Sequence, residues 1–314
     1  MSVSRESHMS RSGISLHDKL EKIRAVFDVD VIASLSMNRE SVLEYYRKNR
    51  VPYTILQFHT DLIHVGISRD GIFRRDDLLE GVRVVEKYIR TLNAGTVLEL
   101  ATGRGANSLF LARLFPRVNF YGIDLSHVQL QYANSKAKKV NNFSPSQGDY
   151  HDLIAYAPTS LDIVFVLESL CYSNQKERVL AEVHRILKPG GVFVVIDGYL
   201  CRALAGANPE VQLAFHLMEK GVAVERFELY QQVKIKAQKA GFIIEQEEDV
   251  TEFVLPFMRR YERFAEKFFA YPRIARLINA ILPRAFTYNA MSGYLFPEML
   301  ELGLFQYMIT VYIK

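Results

Sequence analysis

The chain has 314 residues, 49% of them hydrophobic, a formal net charge of +4 at pH 7 and only two cysteines, Cys171 and Cys201. A chain of this size buries enough apolar surface to fold without disulfides or metal, and its mild charge gives no global drive toward nucleic acid. Its longest apolar runs fall far short of the roughly 20 residues that cross a bilayer, and its start lacks the basic-then-apolar pattern of a secretory signal, so we expect a soluble, cytoplasmic protein.

Residues 1–13 are polar and aperiodic and read as a frayed tail. Residues 14–92 read as a helical cap, because LHDKLEKIRAVF, SVLEYYRKNR and DDLLEGVRVVEKYIRTL carry apolar residues at three and four spacing. From residue 93 to 251 the rhythm changes. TVLEL, VNFYGIDL, LDIVFVLE and VFVVIDGY read as strands, and the stretches between them as helices. That alternation predicts an α/β fold, a doubly wound and mostly parallel sheet. Ser126 with Gln129 predicts a capping box, and Pro189-Gly190-Gly191 a helix stop. Residues 252–303 read as a helical insertion and 304–314 as a last strand of the sheet.

The segment VLELATGRGANSLF places Glu99 just before Gly103 and Gly105, where a strand turns into a helix. Such a turn offers backbone N–H groups and the positive end of a helix to a ligand. A carboxylate there repels a pyrophosphate and attracts an ammonium or sulfonium. Asp124 ends the next strand, about 20 residues on, where an acid accepts from ribose hydroxyls. Asp149, in QGDY, follows at the end of the third. Tyr132 and Lys136 have the spacing of a dehydrogenase pair but sit on the wrong helix, so a solvated face is expected and an NAD-dependent oxidoreductase is the weaker reading.

Taken together, ELATGRG, GIDLS, GDYHD, DIVFVLESL and LKPGG resemble the ordered motifs of class I S-adenosylmethionine-dependent methyltransferases, with Ala101 where the family's first glycine stands. The resemblance implies S-adenosyl-L-methionine as cofactor. It implies contacts from Glu99, Ala101, Thr102, Gly103, Gly105, Asn107, Asp124, Leu125, Gly148, Asp149, Tyr150 and Leu167. Glu168-Ser169 is similar to the Glu-containing segment of the sterol, tocopherol and isoprenyl branch, where a carboxylate stabilises a developing cation.

A small, lipophilic acceptor is the resulting expectation, with carbon methylation ahead of oxygen or nitrogen. Glu168 is the first catalytic candidate, with His64 and His151 as alternative bases. Tyr45, Tyr46, His59 and Tyr172 are candidates for the substrate face. The histidines lack ligand spacing, so no metal is expected. The insertion sets aromatics among Arg259, Arg260, Arg263, Lys267, Arg273, Arg276 and Arg284. Core packing beneath a solvated basic face is its plainest reading. Beside it stand a helix resting on a membrane, which would make the protein peripheral to it, and arginines that clamp a substrate anion. A scaffold that binds the cofactor without catalysis is the alternative from another class.

Overall fold

The computed structural model describes residues 14–49 and 61–314; the tail expected at 1–13 lies outside them. Three helices come first, α1 (Leu16–Arg24), α2 (Val29–Ala33) and α3 (Arg39–Lys48), each begun by a side chain, Ser15, Asp28 or Asn38, that accepts from the first helical turn. A 3-10 turn at Arg75–Leu79 leads into α4 (Glu80–Leu92). The alternating region then gives β1 (Thr96–Leu100), α5 (Ala106–Leu114), β2 (Asn119–Asp124), α6 (His127–Ala137), β3 (Phe143–Gln147), β4 (Leu161–Leu167), α7 (Lys176–Ile186) and β5 (Leu187–Leu200). Two helices, α8 (Pro209–Gly221) and α9 (Tyr230–Lys239), lead to β6 (Ile243–Asp249). Three helices, α10 (Thr251–Phe269), α11 (Pro272–Ile281) and α12 (Arg284–Glu301), then precede β7 (Phe305–Ile313).

The strands form one seven-stranded sheet in the order β3-β2-β1-β4-β5-β7-β6. The first five are parallel, and β7 enters antiparallel between β5 and β6. Side chains alternate across a strand, so a sheet covered on both faces needs apolar residues at every position. In β5, Val192, Val194 and Ile196 enter one core while Phe193 and Val195 enter the other. At the edge, β6 (IIEQEED) instead carries acids that discourage pairing with another chain.

Two local expectations change. Ser126 Oγ accepts from Gln129 N, but the Gln129 side chain accepts from Arg104 Nε at 3.2 Å and does not close a capping box. Tyr132 and Lys136 are only partly exposed, because Asp61 pairs with both Lys136 and Arg104, and the Arg104 guanidinium lies 5.0 Å above the Tyr132 ring.

Candidate active site

At the carboxyl end of β1 the chain turns through Ala101 at φ 51°, Gly103 at φ 53° and Gly105 at φ 74° into α5. Gly103 lines an adjoining cavity of about 370 Å³, and a Cβ built on it meets no atom within 4 Å. The other glycine has a packing reason: a Cβ on Gly105 would stand 2.8 Å from the Phe143 ring. Gly105 is the one residue of the expected cofactor set that does not line the cavity. The other eleven do, namely Glu99, Ala101, Thr102, Gly103, Asn107, Asp124, Leu125, Gly148, Asp149, Tyr150 and Leu167.

The three acids differ in what holds them. Glu99 is buried and accepts from Thr102 Oγ1 at 2.6 Å, Asn107 Nδ2 at 2.9 Å and Ser108 Oγ at 2.5 Å, so it ties β1 to the turn and to the start of α5. Burial pushes its pKa up against those donors. Asp124 accepts from Gly103 N at 2.8 Å and Ser126 N at 2.7 Å, and burial raises its pKa too. Burial also acts to raise Asp149, but the amide and ring of His151 and the Arg39 guanidinium outweigh it and hold the carboxyl below its usual range. His151 Nδ1 donates to Asp149 at 2.6 Å, which leaves Nε2 to accept from Ser173 Oγ at 2.8 Å. Tyr150 Oη donates to the Ser169 carbonyl.

A second cavity, about 470 Å³, lies beside the first, walled by aromatic and aliphatic side chains of α3, α10 and α12. Tyr46, Ile63, His64 and Tyr172 line both cavities and form the seam between them. Across it Tyr46 Oη donates to Tyr172 Oη at 3.2 Å, and Tyr172 Oη to the Val222 carbonyl. Tyr45 lines the second cavity and donates to Asn289 Oδ1 at 2.6 Å. His64 is buried with a lowered pKa, and burial is the main cause. Because Asn107 Nδ2 donates to Glu99, its Oδ1 accepts from His64 Nε2 at 3.1 Å; His64 Nδ1 then faces the Val65 carbonyl. His59 lies outside the described residues.

Glu168, at the end of β4, lines only the second cavity and holds φ 50°, a conformation that strains a residue with a Cβ. Its Oε1 accepts from Val65 N at 2.5 Å and from Tyr307 Oη. Burial lifts its pKa to about 8 against those two bonds. Asp197, on β5, lines the same cavity, accepts from Cys171 N at 2.9 Å and is lifted by burial to about 6. The sequence reading missed both Tyr307 and Asp197. An acid directly after the apolar run VFVVI was a usable signal for Asp197; nothing local marks Tyr307.

The insertion's cations stand elsewhere. Arg259 pairs with Glu262 and Glu301, and no lysine or arginine is among the described residues lining the second cavity.

Residues 98–195, from β1 through most of β5, match the family model described as "Methyltransferase domain". This segment of the chain is a methyltransferase domain, and the fold around it is that of the class I S-adenosylmethionine-dependent methyltransferases. The donor set fits the cofactor of that family: a methyltransferase cavity with carboxylates at three successive strand ends and an open glycine turn suits a cationic nucleoside. The match extends to individual proteins. The chain is 26% identical over 159 residues to the sterol 24-C-methyltransferase of Kluyveromyces lactis, covering 50% of this chain and 42% of that one, so it spans less than half the length of that relative. It is 26% identical over 247 residues to an S-adenosyl-L-methionine-dependent Diels-Alderase of Talaromyces variabilis, covering 74% of this chain and 83% of that one. Its fold superposes on a geranyl diphosphate methyltransferase in complex with GPP and sinefungin with a TM-score of 0.64 at 16% identity, over 87% of this chain and 97% of that chain.

Proposed function

We propose that this protein transfers the methyl group of S-adenosylmethionine to a small lipophilic acceptor of the sterol, isoprenoid or aromatic natural-product kind, with carbon as the favoured acceptor atom. One observation carries the reading: a cavity at the glycine turn that holds the three strand-end carboxylates meets a more apolar cavity at a seam of four residues. When bound, S-adenosylmethionine supplies an electrophilic methyl carbon on a sulfonium. In this reading Asp124 accepts from the ribose, Asp149 stands on the adenine side, and Gly103 and Thr102 offer the turn to the amino-acid end. Glu99 acts by holding that turn in shape, since its oxygens already accept from three side chains. Tyr46, Tyr172 and His64 set the approach at the seam, where a displacement in line with the sulfur requires close alignment.

Glu168 is the group we assign to the reacting end of the acceptor. As a carboxylate in an apolar cavity it stabilises positive charge developing on an attacked alkene or ring. His64 and His151 have both ring nitrogens engaged or facing a carbonyl, so we place them in positioning roles. We propose further that residues 252–303 close over the acceptor and exclude water.

The absence of cations among the described residues of the apolar cavity favours an uncharged acceptor over a diphosphate. Titration calorimetry with S-adenosylhomocysteine on wild type and Asp124→Ala tests the cofactor half. Incubation with methyl-labelled cofactor and a panel of neutral sterols, isoprenoids and phenols tests the acceptor half. Labelled product supports the reading, and loss of cofactor binding in wild type overturns it. The relative aligned over the larger share of both chains is described as a Diels-Alderase, which favours a second reading: the same two cavities catalyse a ring closure with the cofactor bound but unspent. A product of unchanged mass and no label transfer would select it.

A further inference from the structure

The apolar cavity adjoins a part of the surface that no described residue covers. On α11, Ile274, Leu277 and Ile281 recur at three and four spacing and are 57%, 61% and 72% exposed. Phe264 on α10 and Leu282 after α11 extend the strip and are exposed as well. Those last two residues also line the apolar cavity, as does Ile278, one turn after Ile274 on α11. Strip and cavity are therefore continuous. Singly scattered apolar residues are ordinary on a protein surface, whereas a contiguous strip of them marks contact with a partner.

The charge around the strip selects the partner. Arg263, Lys267, Arg273, Arg276 and Arg284 are all exposed, and between residues 263 and 284 Glu266 is the only acid. Arg276 donates its Nε to the Ala25 carbonyl at 2.6 Å. A second copy docking by this face would set these cations against their own equivalents, which is repulsive. No helix among the described residues is long and apolar enough to cross a membrane, whereas a short basic helix with an apolar stripe is suited to lie in a headgroup layer.

We propose that this face seats on the surface of an anionic phospholipid bilayer, with Ile274, Leu277 and Ile281 inserted below the headgroups and the arginines among the phosphates. The cavity mouth then faces the bilayer, so a lipophilic acceptor passes between them without crossing water. The inference rests on the reading that this cavity takes such an acceptor, but its test needs no turnover, so the two fail separately.

The test is co-sedimentation of the full chain with phosphatidylcholine vesicles, with and without phosphatidylglycerol. We expect binding to the anionic vesicles that weakens with salt and is much poorer on phosphatidylcholine alone. Two double variants, Ile274→Glu with Leu277→Glu and Lys267→Gln with Arg273→Gln, should each weaken it by about tenfold or more. Both should keep wild-type affinity for S-adenosylhomocysteine, which shows that they fold. Absence of sedimentation with anionic vesicles overturns the proposal, as does binding that both folded variants retain. Reversible self-association that the Glu variant abolishes, without vesicle binding, would assign the face to a second copy and also overturn it.

Discussion

Ala101 holds φ 51° at a point where the family's motif has glycine. The left-handed conformation costs a residue with a Cβ roughly 1–2 kcal/mol, so Ala101→Gly removes strain that the native turn carries. Urea unfolding should show a gain of about 1 kcal/mol, offset in part by the greater backbone freedom of unfolded glycine. Cofactor affinity should stay within a few-fold, because the amide positions are unchanged. Glu168 has the same strained φ and a different reason for it: the turn aims its carboxyl at the apolar cavity beside Tyr307 and Val65 N. Its pKa of about 8 makes it neutral over much of the physiological range. If the carboxylate is the working form, the methyl-transfer rate climbs as pH rises through about 8. In Glu168→Gln the rate should fall by roughly 10²-fold or more and lose that rise. Stability gives an independent readout. A carboxyl whose folded pKa lies above its unfolded value contributes stability that is fully present below the unfolded pKa and is lost as pH rises through about 8. Wild type should therefore lose stability across that window more steeply than Glu168→Gln in denaturant titrations at a series of pH values.

At the scale of elements, the amino-terminal helices and the insertion are joined by a buried charge cluster. Lys19 on α1 is fully buried and donates to Glu262 on α10 at 2.7 Å and to Glu298 on α12 at 3.1 Å. Replacing it with methionine keeps the volume, leaves the buried Glu298 without its cation and leaves Glu262 with Arg259 alone, a situation that costs about 3–5 kcal/mol. Differential scanning calorimetry should find Lys19→Met lower in Tm by roughly 5–8 °C, and adding Glu298→Gln should recover part of the loss. Lys19 was not legible as a core residue: in LHDKLEKIRAVF it stands beside other charges, and its partners lie 243 and 279 positions away. The strands of the core were legible for the opposite reason. A strand covered on both faces must be apolar throughout, so TVLEL and VFVVI declare themselves locally. Direction is not declared. FQYMITVYI reads alike whether it runs with or against β5, and its antiparallel entry between β5 and β6 follows from connections, not from its own residues. The site divides in the same way. Glu99, Asp124 and Asp149 each stand at or just past the end of a strand and were found, whereas the bond from Tyr307 to Glu168 joins residues 139 positions apart.

At the scale of the whole molecule, the two cavities draw mainly on different parts of the chain. The first is floored by the parallel strands and their turns, within the residues that match the methyltransferase domain, with Arg39, Val42 and Leu43 of α3 along one side; the apolar one is closed by α3, α10 and α12, which lie outside that match. This division suggests that cofactor and acceptor affinities respond separately to substitution, with only the seam shared. Ala290 tests it. It lies on α12, lines the apolar cavity and is absent from the first. Ala290→Phe adds a ring in or against the apolar cavity, which we propose takes the acceptor, and overpacking of that kind typically costs 1–3 kcal/mol. If the cavity can take the ring, the cost falls on the acceptor: its KM should rise roughly tenfold or more, by the same energies, while calorimetry gives an S-adenosylhomocysteine affinity within about twofold of wild type. A thermal scan with the cofactor product at 100 times its Kd should then stabilise the variant and wild type equally, by about 2.7 kcal/mol, since that gain depends only on occupancy of the first cavity. An equal loss of both affinities would mean instead that the helices over the acceptor also hold the glycine turn, and the cavities would have to be treated as one site.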